Sequence, residues 1–519
     1  MIAVGRAPKQ AAAPARAALM AAALALLVVA AAGPERSPAA AGLKAKGRPN
    51  ILVVQTDDQT LASFEHRYMP FTHRLMARQG VGFSNYVVTT PTCCPSRSSL
   101  LTGQYAHNHA VLSNELGYPA LRQKGRVLPA WLRAAGYRTA HVGKWLNGGR
   151  PLAPAPGWED WRTLLNYRYY GYGLSIDGRR LEFGHRDGDY LTRVLTNKAV
   201  GLIREYSRRR APFYLQLDHF APHTSKAGTQ RCPDGPVPDP RDTRRFRNEA
   251  LPQPPNFNEP DVSDKRRFLR RKRALGGTAL ARITTRHRCR LASLRAVDRS
   301  TEKLWRALRD THEAKRTIIV FTSDNGFFAG EHRLGAGKTL PYVESSQVPL
   351  AVRLPKDLRK PGTPDTVEVL TANIDLVPTF LDYAKARPCS GGSCRRLDGR
   401  SLRPLLEGRA GWPADRAVAI EFGSGLSRER QFGTCRYEGV RVLSASYARY
   451  NRTGSCPGPR DERELYDLAA DPFELENRAG DPAHAPLRKT LHERLNTVRR
   501  CAGIAGRDRQ PGGSREFCE

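Results

Sequence analysis

Short apolar runs recur through about residue 385, and most are separated by a stretch with helical spacing. The runs Asn50–Gln55, Val81–Tyr86, Tyr137–Val142, Phe213–Leu217, Thr317–Phe321 and Val348–Arg353 are rich in β-branched and aromatic residues, which predicts strands. Phe71–Gln79, closed by Gly80, and Leu128–Ala135, closed by Gly136, predict helices that end on glycine caps. Asp189–Arg208 and Asp375–Ala384 predict two more, and Leu291, Leu294, Val297, Leu304 and Trp305 mark the apolar face of another. Strands alternating with helices predict an α/β fold: a large, mostly parallel mixed sheet sandwiched by helices.

The pattern changes after Arg387. A Gly-, Pro- and Arg-rich link runs to Trp412, followed by short strands predicted at Ala417–Phe422, Gly439–Leu443 and Ser446–Tyr450, then a helix over Ala485–Arg500. That predicts a smaller subdomain built on an antiparallel sheet. With 519 residues, one hydrophobic core is not expected to organise the chain. The expected division is 49–386 as the large α/β domain and 387–519 as link and C-terminal subdomain. Within the first, Lys226–Asp261 is Pro- and Arg-rich and reads as a long surface insertion.

The N-terminus reads as an export signal. Arg6, Lys9 and Arg16 precede an apolar run from Ala18 to Ala32, and Ala30-Ala31-Ala32 before Gly33 fits a small-residue cleavage site. Residues 1–32 are thus expected to be a signal peptide, with an uncleaved anchor as the alternative. Residues 33–48 read as a disordered lead-in. No internal run is apolar enough to span a bilayer, so no stable membrane partner is expected. The expected location is extracytoplasmic.

The formal net charge of +34 admits two readings. A polyanionic substrate steered by the field is one. Compositional bias is the other, and arginine crowding even in structural segments favours it. Nucleic acid is not expected, because no helix-turn-helix, finger or stacking platform accompanies the charge.

Candidate chemistry collects at strand ends. Asn50–Gln55 runs through Thr56 into Asp57 and Asp58; Thr317–Phe321 runs through Thr322 and Ser323 into Asp324-Asn325-Gly326. Ligands of open α/β sheets sit beyond the carboxyl ends of the strands. If both strands lie parallel near the centre, three carboxylates and an amide oxygen meet there. Oxygen-only ligation suits Ca²⁺, or Mg²⁺, over zinc; taken singly, each pair could equally cap a helix. Between them lies Cys93-Cys94-Pro95-Ser96-Arg97, running into the helix-like Ser98–Gly103. A helix N-terminus offers free N–H groups to an anion, and Arg97 adds a fixed charge with fork geometry.

With Leu101-Thr102-Gly103 at its offset, Cys93-Cys94-Pro95-Ser96-Arg97 resembles the signature of the type I sulfatases. Further segments share the resemblance across most of 48–480: Gly143-Lys144-Trp145, Ala221-Pro222-His223, Gly337-Lys338, and Glu464-Leu465-Tyr466-Asp467-Leu468 before Asp471-Pro472. The resemblance implies an alkaline-phosphatase-like fold. It also implies that a formylglycine-generating enzyme converts Cys93 to formylglycine, which joins Asp57, Asp58, Asp324 and Asn325 around the cation. Arg97, Lys144 and Lys338 would then hold sulfate oxygens, and His223 would protonate the departing alcohol.

His107-Asn108-His109 after Gly103-Gln104-Tyr105 is most similar to the glucosamine-6-sulfatase branch, which implies a sulfated sugar or glycan as substrate. Many arylsulfatases read Gly-Lys-Trp-His, whereas this chain has Leu146-Asn147 after Trp145. That histidine's role then passes elsewhere or is met by water, and His107 and His109 are the accessory candidates to serve it. Two rivals stand beside sulfate ester hydrolysis: a phosphonate monoester or phosphodiester hydrolase of the same superfamily, and an inactive secreted polyanion-binding protein. Of the ten cysteines, Cys93 is set aside for conversion and Cys94 as a packed thiol; the other eight allow 105 connectivities, of which proximity favours Cys389–Cys394, Cys435–Cys456 and Cys501–Cys518, leaving Cys232–Cys289.

Overall fold

In the computed structural model, the residues described are 47–149, 151–225, 228–390, 392–451, 461–513 and 515–519. The expected signal peptide, nearly all of the lead-in, and Cys456 of the pairing with Cys435 lie outside them. Among the described residues no helix is long and apolar enough to cross a membrane.

The first apolar run forms β1 (Asn50–Thr56), which is buried along its whole length. The other strands of the large sheet follow in chain order as β2 (Gly80–Phe83), β4 (Arg138–Gly143), β5 (Asp160–Leu164), β6 (Tyr172–Ile176), β7 (Arg179–Phe183), β8 (Phe213–Asp218), β9 (Thr317–Ser323), β10 (Leu350–Arg353) and β11 (Thr366–Val367). A short β3 (Tyr86–Val87) splits off after Ser84-Asn85, so the expected strand Val81–Tyr86 is two strands. The spatial order is β11-β2-β10-β9-β1-β8-β4-β5-β6-β7. The centre is parallel: β1 lies between β8 and β9, and β4 pairs with both β8 and β5. Four antiparallel pairings, β10 with β9, β10 with β2, β5 with β6 and β6 with β7, make the sheet mixed.

Side chains alternate across a strand, so a central strand must be apolar on both faces. Ile51 and Val53 pack on one side with Ile318, Val320 and Trp131, under the helices Cys93–Thr102, Leu128–Ala134 and Leu376–Ala384. Leu52 and Val54 pack on the other with Leu215, Leu217 and Phe321, under Pro70–Gln79, Leu191–Ser207 and the long helix Gly277–Asp310. Truncating one of these, Leu52→Ala for example, costs about 2–5 kcal/mol.

Two sequence expectations need correcting here. Trp158–Gly184 reads as a loop, yet it supplies β5, β6 and β7, which extend the sheet at one edge. Tyr169 and Tyr172 are buried there as core. The stretch 226–261 is not merely surface. Its Asp239 and Asp242 are buried and pair with Arg193 and Arg299, and its Asn256 and Glu259 are buried as well. Ion pairing lets these acids leave solvent despite their polarity.

The C-terminal part holds an antiparallel sheet in the order β15 (Val418–Phe422), β16 (Tyr437–Arg441), β17 (Ala445–Tyr450) and β18 (Glu462–Asp467), packed against the helix Ala485–Val498. The short β12 (Thr371–Ala372) pairs with β3, while β13 (Cys389–Ser390) and β14 (Ser393–Cys394) form a hairpin. Disulfides join Cys232–Cys289, Cys389–Cys394 and Cys501–Cys518.

Candidate active site

Register decides which residues meet. In β1, Gln55 is level with Asp218 of β8 and Thr56 with Ser323 of β9. Asp57, Asp218 and Asp324 therefore emerge side by side at the carboxyl edge of three parallel strands. Gly143 of β4 is also level with Asp218, and a Cβ there would lie 1.9 Å from the Asp218 carbonyl oxygen. Only glycine fits, and it delivers Lys144 straight to the edge.

The helix Cys93–Thr102 points its N-terminus at the same place and ends on Gly103 in the left-handed region. Cys93 Sγ lies 3.5 Å from Asp57 Oδ1, 3.2 Å from Lys144 Nζ and 2.9 Å from Lys338 Nζ. Lys144 pairs with Asp57 and Lys338 with Asp58. Arg97, almost fully buried, spans 2.8 Å to Asp324 Oδ2, 3.1 Å to Asp218 Oδ1 and 3.6 Å to Asp57 Oδ2. His223 Nε2 stands 3.7 Å from Asp58 Oδ2 and keeps a quarter of its side chain exposed, so the cluster opens on that side. Tyr167 lines the opening, with its ring 5.4 Å from Lys144 Nζ.

The electrostatics follow from this crowding. Burial alone would raise the pKa values of Asp57 and Asp58, but the neighbouring lysines, His223 and arginines outweigh it and hold both carboxylates below their ordinary range. Burial pushes the Cys93 thiol up to about 12, and Asp57 adds to the rise. An unmodified Cys93 is therefore a neutral thiol at physiological pH and a poor nucleophile. Burial also lowers His223, with Asp57 and Asp58 opposing.

The donor set suits a divalent cation. Ligand atoms of Asp57, Asp58, Cys93 and His223 lie within 4.8 Å of one another. Asn325 donates from Nδ2 to Asp58 Oδ1 at 2.7 Å, while its Oδ1 is buried with no hydrogen-bond partner. Asp324 accepts from the Asp58 N–H at 3.1 Å and from Arg97. An orphaned amide oxygen among several carboxylates fits a hard cation well.

His107 and His109 are not brought to this cluster. They follow the far end of the Cys93–Thr102 helix, and His109 turns back only as far as Ser99, which at 1.5 Å per residue is about 9 Å along the axis from Cys93. His107 binds Glu421 at 3.0 Å and the Cys501 carbonyl at 3.1 Å; His109 meets Ser99 Oγ at 3.1 Å. Neither can stand in for a histidine after Trp145. Two site residues escape the sequence reading. Asp218 obeys the same strand-end rule as Asp57 and was findable from it. Arg290, whose guanidinium donates to the carbonyls of Asp58 and Pro222, carries no such signal.

A model described as Sulfatase matches residues 49–386, and one described as N-sulphoglucosamine sulphohydrolase, C-terminal, matches 330–501. The chain belongs to the sulfatase family. This sulfatase is 32% identical to the human N-acetylglucosamine-6-sulfatase over 498 residues, 88% of its own length and 85% of the relative's. It is 32% identical to the extracellular sulfatase SULF-1 homologue of Drosophila melanogaster over 374 residues, but spans only 32% of that protein. It spans 49% of the Caenorhabditis elegans Sulf-1 homologue. Among solved structures, BT4656 in complex with its substrate D-glucosamine-2-N,6-O-disulfate is similar, with a TM-score of 0.69 and 26% identity over 86% of this chain and 97% of that one. The phosphonate monoester hydrolase of Agrobacterium radiobacter shares the fold, with a TM-score of 0.65 and 22% identity over 87% and 95% of the two chains.

Proposed function

We propose that this sulfatase hydrolyses sulfate monoesters on a glucosamine-type sugar or glycan. The observation that carries the proposal is the convergence on Cys93 Sγ of Lys144 at 3.2 Å, Lys338 at 2.9 Å and Asp57 at 3.5 Å at a helix N-terminus. A tetrahedral dianionic or monoanionic group needs that arrangement of fixed cations. The relatives that support a sugar substrate are those named for N-acetylglucosamine 6-sulfate and the structure holding a disulfated glucosamine.

Asp57, Asp58, Asp324 and Asn325, with residue 93, would hold the cation, Ca²⁺ or Mg²⁺. The cation and a formylglycine made from Cys93 by a formylglycine-generating enzyme would supply Lewis acidity and an acidified hydroxyl nucleophile. The chain's own residues do the rest. Lys144 and Lys338 reach position 93 directly and neutralise the sulfate oxygens, while Arg97, expected from the resemblance to hold sulfate oxygens as well, is engaged by Asp57, Asp218 and Asp324 and keeps them in place. His223, on the open side, carries the proton for the departing alcohol. The extracellular relative and the N-terminal sequence support export.

The test uses protein co-produced with a formylglycine-generating enzyme. Mass spectrometry of the peptide around Cys93 should show the aldehyde, and glucosamine 6-sulfate should be cleaved faster than phenyl phosphonate. Cys93→Ala should abolish turnover, and Cys93→Ser should stop after one sulfate transfer, because a serine ester cannot collapse to an aldehyde. A fully active enzyme with an intact thiol, or a preference for the phosphonate, would sink the proposal.

A further inference from the structure

A second group of metal-binding side chains lies outside the Cys93 cluster. His332, Glu344 and Glu474 each bring a ligand atom within 4.8 Å of the others. They come from separate places: the loop after Asn325, the short helix Val343–Ser346, and the turn after Asp471-Pro472. His332 and Glu474 are buried, and Glu344 keeps 13% of its side chain exposed.

The imidazole is held as a ligand would be. His332 Nδ1 lies 2.9 Å from Glu259 Oε2, whose other oxygen takes Lys265 Nζ at 3.0 Å. A carboxylate on one ring nitrogen makes it the donor and aims the lone pair of the other into the cluster. Nε2 there faces Glu344 Oε2 at 3.8 Å, and that oxygen is buried with no hydrogen-bond partner. Asn256 Nδ2 donates to Nε2 at 3.2 Å and to Glu344 Oε1 at 2.6 Å, so an ion at Nε2 would take the place of that amide. Glu474 accepts from the Val343 N–H at 2.9 Å and from Ser446 Oγ at 3.2 Å, which leaves each oxygen a free lone pair. Among the described residues Glu344 forms no ion pair with lysine or arginine. A cavity of about 650 Å³, lined by Glu331, Pro472 and Phe473 among others, reaches Glu344.

We propose that His332 Nε2, Glu344 and Glu474 form a second divalent-metal site, for zinc. One imidazole nitrogen with two carboxylates favours a borderline ion over the hard cation that the oxygen-rich cluster at Asp57 takes. His332 and Glu344 flank Lys338 in sequence, so the ion would tie both ends of the segment that carries Lys338 to the late turn at Glu474. The inference does not depend on what Cys93 does.

Full-length protein would be stripped with chelator, reloaded with Ca²⁺, and titrated with Zn²⁺ while Ca²⁺ stays saturating. One equivalent of zinc should bind and raise the melting temperature. Glu344→Gln and Glu474→Gln should weaken zinc binding by about tenfold or more, with calcium uptake and far-ultraviolet circular dichroism unchanged. Zinc that fails to bind, or binds both variants as it does the wild type, overturns the site; His332 is then an imidazolium bridging Glu259 and Glu344. Zinc-edge X-ray absorption on the wild type needs no variant. One imidazole with carboxylate oxygens is expected, and sulfur or several imidazoles would refute the assignment.

Discussion

Asp218→Asn is the sharpest test of how the cluster is held. Asp218 Oδ1 lies 3.1 Å from Arg97 Nη1, and Oδ2 takes His141 Nε2 at 3.0 Å and Gln216 Nε2 at 2.9 Å. Side-chain exposure is 3% for Arg97 and 2% for Asp218, so solvent screens the pair little. Asparagine keeps the shape and removes one charge. Breaking a buried ion pair outright costs about 3–5 kcal/mol. Arg97 keeps Asp324 at 2.8 Å, and Asp218 Oδ1 meets it as an ion pair without hydrogen-bond geometry, so the loss is a part of that figure, about 1.5–3 kcal/mol. If all of it appears as misplacement of Arg97, kcat/KM falls about 10- to 150-fold at 1.36 kcal/mol per decade. The assay is kcat/KM on glucosamine 6-sulfate for wild type, Arg97→Lys, Asp218→Asn and the double variant, with melting curves to confirm folding. Because Asp218 acts through Arg97, the double variant should be no slower than the slower single one. Additivity within about 0.5 kcal/mol would show the two residues to be independent and refute the reasoning.

Other consequences concern stability. Burial lowers His219 and His287 to about 4 from an ordinary 6.5. Their folded-state values lie below the unfolded ones, so the stability tied to the neutral rings is present above 6.5 and lost as the pH falls towards 4. The melting temperature should drop across that window, and a His219→Gln/His287→Gln variant should show a flatter profile; an unchanged slope would count against it. His107→Gln should cost about 1.5–3 kcal/mol through its bonds to Glu421 and the Cys501 carbonyl, lowering the melting temperature but leaving kcat within twofold. A large kcat loss would restore His107 to the chemistry. Replacing Cys232 and Cys289 with serine opens a loop whose ends are 57 residues apart, worth about 4 kcal/mol in the loop-entropy picture, and calorimetry should show the lower melting temperature.

What could be read from the residues is what the backbone places by rule. Apolar runs long enough to be central strands end in Asp57 and Asp324, and parallel register then brings those ends together without any knowledge of side chains. The helix starting at Cys93 is legible for the same reason, through its C-terminal glycine and the register of its Leu-Thr-Gly tail. Residues that reach the site across space are not legible. Arg290 sits on the helix Gly277–Asp310 amid many arginines, and only packing selects it to bind the carbonyls of Asp58 and Pro222. His107 fails in the opposite way: it is close to the signature in sequence, but a rigid helix carries it off towards Glu421 and Cys501. The strand Arg179–Phe183 is hidden because an exposed edge strand has no buried face to impose alternation. The +34 charge obscured most of all. With 84 basic residues against 50 acidic ones, many buried acids find an arginine, and Asp239 and Asp242 sit in the interior where composition alone assigns them to solvent. Glu344 has no lysine or arginine ion pair among the described residues and lies beside a carboxylate-held imidazole, and only the folded chain brings it together with His332 and Glu474, which stand far apart in sequence.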